Sequence, residues 1–202
     1  MPKGNTVNIF KRISLLALCI FLCVPSVASA NAGVPMIFLA MPVLGFSIIP
    51  IIVIEAIFLS KKLGLASPSA FKTTTISNLV STIVGIPLTW ILLVLIQMLA
   101  GGGGAYGLDT TLGKVLSVTL QAAWLIPYES DLHWMIPVAG LVLLVPFFFA
   151  SWWSEYFVTK KMLKDHSAQR VKIAVRNANI LTYVLLAFWP IGFWVLNNAA
   201  TK

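Results

Sequence analysis

The chain has 202 residues, of which 59% are hydrophobic and 10% charged, with a net charge of +8. Soluble domains are about 45–50% apolar and about 25% charged, so an ordinary water-soluble fold is excluded and a bilayer must be part of the solvent. The basic excess sits in short stretches between apolar runs, which is a membrane-topology pattern and not a nucleic-acid footprint.

Residues 1–30 read as a secretory signal. Lys3, Lys11 and Arg12 form a basic start, Ile13 to Val27 an apolar stretch, and Ala28-Ser29-Ala30 a small-residue cleavage site before Asn31. The alternative is an uncleaved first span, and both readings put Asn31 on the outer face. Both cysteines, Cys19 and Cys23, fall inside this segment. A mature chain would therefore lack disulfides, thiolate metal sites and cysteine nucleophiles.

Four apolar runs follow, from about Gly33 to Leu59, Ile76 to Ala100, Met135 to Val158 and Ile180 to Leu196. Each is long enough for a span of about 20 residues. Between the first and second lie Lys61, Lys62 and Lys72; between the third and fourth lie Lys160, Lys161, Lys164, Arg170, Lys172 and Arg176. The other side carries only Lys114 and Lys202. Positive charge stays cytoplasmic, so the expected topology has both basic loops inside and both mature termini outside a bacterial inner membrane.

Pro35, Pro42, Pro50, Pro87, Pro137, Pro146 and Pro190 lie within the runs, and the interior ones predict kinked, irregular packing. Trp124, Tyr128, Trp134, Trp152, Trp153, Tyr156 and Trp194 lie near span ends. Interfacial belts explain that placement better than a ligand pocket does.

Gly101 to His133 forms the outer loop, opening with Gly101-Gly102-Gly103-Gly104. No Lys-Ser or Lys-Thr follows at phosphate-loop spacing. Asp109 or Thr110 is placed to cap a short helix. Leu112, Val115, Leu116, Ala123 and Trp124 would share its apolar face, with Lys114, Ser117 and Gln121 facing away. Such a helix would lie on the outer leaflet, cap the bundle or bind a partner.

A tandem repeat of about 100 residues is the most informative pattern. The first run ends Glu55…Lys61-Lys62 and the second begins Asn78-Leu79-Val80-Ser81. The third ends Glu155…Lys160-Lys161 and the fourth begins Asn179-Ile180-Leu181-Thr182. Both halves run out-to-in and back, which describes parallel repeats about an axis along the membrane normal. The expected fold is thus all-α: four transmembrane helices as two tandem helix hairpins, residues 31–100 and 135–202, plus a short outer amphipathic helix in 101–134.

At about 1.5 Å rise per residue, Glu55 and Asn78 both lie about 9 Å inside the charged rim, where carboxylate and amide can meet. Glu155 and Asn179 repeat the arrangement, with Arg176 near enough to be a counter-charge. This polar cluster has two readings. Each Glu–Asn pair pins a hairpin, or the acids mark an ion or proton path.

Other chemistry is missing from the sequence. His133 and His166 are expected on opposite sides of the bilayer, so they cannot share a metal or haem. Glu129, Asp131 and His133 crowd the outer loop but read as solvated surface residues. No catalytic residue, metal site or cofactor is assigned.

The start Asn31-Ala32-Gly33-Val34-Pro35, with the Glu55 span and the Asn78-x-x-Ser81 span, resembles small bacterial multi-span membrane proteins sharing an Asn-Ala-Gly-x-Pro start and a Glu…Asn-x-x-Ser hairpin. The resemblance implies no activity or substrate. The leading expectation is a non-enzymatic structural or accessory subunit of a membrane complex. A small transporter or channel component using Glu55 and Glu155 is the alternative. Partners would be the lipid bilayer and either a second copy or another membrane protein, with no nucleic acid.

Overall fold

The computed structural model describes residues 34–101, 105–125 and 130–200. The signal segment, both cysteines, Asn31, Gly102 to Gly104, Tyr128 and Glu129 lie outside these residues.

The chain is an all-helical membrane protein. Among the described residues, four helical stretches are long and apolar enough to cross a bilayer: Pro42–Leu63, Ser67–Ala100, Leu132–Met162 and Ala168–Leu196. The first belongs to α1 (Met36–Leu63). The second is α2 (Ser67–Val80), a π-helical turn (Ser81–Gly85) and α3 (Ile86–Gly101). A short helix, α4 (Thr111–Thr119), lies in the connection. The third crossing is α5 (Leu132–Met162), and the fourth is α6 (Ala168–Leu186) continued by α7 (Phe188–Ala200).

The returning helices begin well before their apolar runs. α2 starts at Ser67, with Pro68 in its first turn, where a missing N–H costs nothing. α6 starts behind Ser167, whose hydroxyl accepts from the Arg170 N–H at 3.3 Å. Hydropathy marks only the lipid-facing part of such a helix. Its polar first turns are held by packing: Thr73, Thr74 and Ser77 of α2 are buried, as are Val171, Ala174 and Val175 of α6.

Both hairpin turns are therefore short. Gly64 closes α1 in the left-handed region at φ 70°, which its missing Cβ permits, and the Ser60 hydroxyl donates to the Leu65 carbonyl at 2.8 Å. In the second turn the Lys160 ammonium donates to the His166 carbonyl at 2.6 Å. His166 Nε2 in turn donates to the Leu63 carbonyl at 3.1 Å. That bond joins the two turns, so both basic loops share one end of the bundle.

Around the bundle axis the order is α1, α2, α5, α6, each packed on the next, with only slight contact between α1 and α5 across the middle. Leu59, Leu63, Leu163, Val171, Ala174, Val175 and Ala178 fill the end near the turns. At the opposite end Met36, Val118, Ala122, Leu125, Met135, Ala139 and Leu143 form a second apolar cluster.

α4 belongs to that second cluster through Val118. Thr110 caps it, accepting from the Gly113 N–H at 3.0 Å. Ser117 and Gln121, on the side away from Leu112 and Val115, are buried, while Leu112 and Val115 are exposed. The segment docks through polar groups that need partners once covered. Gln121 Oε1 accepts from the Tyr106 N–H at 3.3 Å, the Ala123 carbonyl accepts from Trp90 Nε1 at 3.2 Å, and Trp124–Leu125 pairs with Val34–Pro35 as a two-residue antiparallel bridge. Leu112 and Val115 are left to the surroundings, whereas Ala123 is buried and Leu116 and Trp124 are half-buried. Gly113 sits directly on the Gly107 carbonyl, with no room for a side chain.

Candidate polar site and cavity

Between the two apolar clusters lies a buried polar layer. Glu55 on α1 and Glu155 on α5 are 2% and 3% exposed. Asn78 Nδ2 donates to Glu55 Oε2 at 2.8 Å, and Asn179 Nδ2 donates to Glu155 Oε2 at 2.8 Å. The structure thus brings together the four residues that the repeat singled out, each pair within its own hairpin. Each amide also donates one turn back, to the Thr74 carbonyl at 3.0 Å or the Val175 carbonyl at 3.2 Å, which orients it.

The second partner of each carboxyl comes from the other hairpin. Thr182 Oγ1 donates to Glu55 Oε1 at 2.9 Å, and Ser81 Oγ donates to Glu155 Oε1 at 3.1 Å. Asn78 and Ser81 are three residues apart on one return helix, as are Asn179 and Thr182 on the other, so each pair occupies one helix face. That face is wedged between the two glutamate helices, with the Asn turned to one and the hydroxyl to the other. All four carboxyl oxygens have a neutral donor, and the two carboxyls are within hydrogen-bonding reach of each other. The motif Asn-x-x-Ser/Thr was visible in the sequence; the exchange between hairpins was not, because periodicity does not say which helices become neighbours.

Arg176 does not join this layer. It is exposed, and its Nε donates to Asn177 Oδ1 at 3.2 Å. Ile173 and Ile180, on the same flank of α6, are exposed as well, so Arg176 belongs to the outward stripe of that helix. The expected counter-charge for Glu155 is replaced by Asn179 and Ser81.

Both return helices loosen just beyond the motif. The π-helical turn begins at Ser81, and Pro87 cannot donate to the Ile83 carbonyl. In the fourth crossing α6 stops at Leu186, whose carbonyl Pro190 leaves unserved. π-turns often mark functional positions in helices. Pro42, Pro50, Pro137 and Pro146 instead lie inside continuous helices.

The polar layer is the floor of a cavity of about 430 Å³ that extends from Glu55, Asn78, Ser81, Glu155, Asn179 and Thr182 to Met36 and Ile136 at the far end. Its walls are apolar and aromatic: Leu44 and Ile48 of α1, Trp90 of α3, Phe147 of α5, and Trp189 and Phe193 of α7. No Lys, Arg or His is among its described lining residues. None of the buried residues of the apolar cluster near the turns lines the cavity, whose lining stops at the carboxyl layer. Tyr183, on the wall, shares a hydrogen bond with Ser151 at 2.8 Å.

The remaining candidates lie elsewhere. Asp131 accepts from Trp134 Nε1 at 2.7 Å and from Ser130 Oγ at 3.0 Å, and these bonds hold its carboxyl below its ordinary pKa. His133 Nδ1 donates to the Ser130 carbonyl at 2.7 Å. Among the described residues no group of three His, Cys, Asp or Glu side chains could hold a metal ion. Trp152, Trp153 and Tyr156 form an aromatic group with Phe148 and Phe149, and the Lys172 ammonium lies 4.5 Å from the centre of the Trp153 ring.

Comparison with protein-family models, curated proteins and solved structures yields no match.

Proposed function

We propose that this chain is a non-enzymatic carrier component of a bacterial inner membrane, working through Glu55 and Glu155. The observation that carries the reading is the cavity that ends on both carboxyls. A channel needs a continuous path, whereas a carrier needs a site reachable from one side at a time. Intramembrane acids beside a cavity are the usual mark of ion or proton pathways.

The hydroxyls add a local argument. Ser81 Oγ lies 3.0 Å from the Asn78 carbonyl as well as beside Glu155, and Thr182 Oγ1 lies 3.2 Å from the Asn179 carbonyl as well as beside Glu55. A hydroxyl has one proton and can accept as well as donate. Each can donate to an ionised carboxylate, then turn to its own backbone and accept from a protonated one. The site can gain or lose a proton without stranding a buried polar group.

In this reading the paired hairpins descend from one duplicated unit, residues 1–30 direct export, and the basic turns face the cytoplasm with both termini outside. A second copy would thicken the thin wall of a four-helix carrier. Purified protein in liposomes loaded with a pH-sensitive dye tests the proposal. Wild type should move protons faster than protein-free liposomes, and Glu55→Gln and Glu155→Gln should not, while keeping their helical circular dichroism. Equal proton movement by wild type and both variants refutes it.

One observation favours the accessory-subunit reading: the same hydrogen bonds tie each glutamate helix to both of its neighbours. A purely structural clamp would give unstable glutamine variants, no flux, and another membrane protein retained through purification in mild detergent.

A further inference from the structure

Resting on the carrier reading, we infer that the cavity takes a lipophilic cation whose charge is shielded or delocalised, of the quaternary ammonium or phosphonium class. Sign comes first. The only acidic groups on the described cavity wall are the carboxyls of Glu55 and Glu155, and no Lys, Arg or His faces them there. Two acids and no basic side chain on the described wall disfavour an anion.

The state of those oxygens narrows the class. Every carboxyl oxygen already accepts from Asn78, Thr182, Ser81 or Asn179. A metal ion would have to strip these donors to obtain its oxygen shell. A primary ammonium, with three protons to satisfy, meets the same competition. A cation with no N–H to place needs only the field of the carboxyls and a surface to lie on.

That surface is present. Trp90, Phe147, Trp189 and Phe193 line the wall, and aromatic faces attract cations of this kind. The indole N–H groups of Trp90 and Trp189 are occupied by the Ala123 carbonyl and Ser47 Oγ. The rings therefore offer mainly their apolar bodies. A volume of about 430 Å³ suits a small organic molecule. Leu39 and Phe193, both lining the cavity, are also exposed, so an apolar solute has a route from the lipid side.

The test is equilibrium binding of radiolabelled tetraphenylphosphonium to the immobilised, detergent-solubilised chain. Tetraphenylborate, of nearly the same size and opposite charge, is the competitor. Saturable phosphonium binding that tetraphenylborate fails to displace is the expected result. Glu55→Gln and Glu155→Gln should each weaken it by about tenfold or more. Leu44→Trp, which fills the cavity and leaves the carboxyls in place, should abolish it with circular dichroism unchanged. Displacement by tetraphenylborate as good as by unlabelled phosphonium would overturn the inference, as would folded wild-type protein without saturable binding. Should the glutamine variants fail to fold, the competition and Leu44→Trp still decide. Proton movement in liposomes without phosphonium binding would remove this inference and leave the carrier standing; loss of both would remove both.

Discussion

Thr182 reaches across the boundary between hairpins to donate to Glu55 at 2.9 Å, although 127 positions separate them. Ser81 does the same for Glu155. Each hairpin completes the carboxyl site of the other, so the layer exists only when the two are assembled.

Thr182→Val removes that bond while keeping the branched shape. It should cost about 0.6 kcal/mol, the average for hydrogen bonds between membrane helices, and no more than about 1.7 kcal/mol. Ser81→Ala should cost a similar amount. Combining Thr182→Val with Glu55→Gln should cost less than the sum of the two, because they share one bond. Thermal unfolding in detergent reads all three; strict additivity would mean that the bond carries no energy.

Cysteine labelling reads where the cavity opens. With Cys19 and Cys23 replaced, Ala40→Cys on the wall should react with a thiol reagent added from the outer side. Ala178→Cys in the inner cluster, where the alanine is 1% exposed, should stay unlabelled until the protein is denatured. Labelling of Ala178→Cys in the native state would show that this cluster is open.

Two glycines should resist substitution for different reasons. Gly64→Ala places a Cβ in the left-handed region and should cost about 1 kcal/mol of stability. Gly113→Ala drives a methyl into the Gly107 carbonyl and should free the outer segment from the bundle. Limited proteolysis near residues 105–110 would then become fast; unchanged cleavage would contradict that packing.

The Asp131–Trp134 contact should be lost in acid. The folded-state pKa of Asp131 is depressed, chiefly by the Trp134 indole N–H and then by Ser130. A depressed carboxyl favours folding above its ordinary value, about 3.9, and loses that contribution as pH falls through the lower folded value. The indole N–H resonance of Trp134 should hold steady from neutral pH to about 4 and shift only below that. A shift between pH 5 and 7 would rule the assignment out. Asp131→Asn should remove the acid transition.

Hydropathy was enough to find four crossings, because lipid contact demands long apolar runs and little else. It misjudged where α2 and α6 begin, since their first turns are polar and are ordered by neighbours. The Glu55–Asn78 and Glu155–Asn179 pairs were legible because a hairpin with a short turn brings matched depths together. Arg176 was misplaced for a related reason: depth says nothing about which way a side chain points around its helix.

By itself, then, the sequence determined the solvent of this protein, the four long apolar crossings among the described residues, and the carboxyl–amide pairing inside each hairpin, all local consequences of composition and spacing. Only the tertiary structure decided that Ser81 and Thr182 cross over and that a cavity stands on the two carboxyls. Those depend on which helices become neighbours, which the chemistry of one segment alone does not fix.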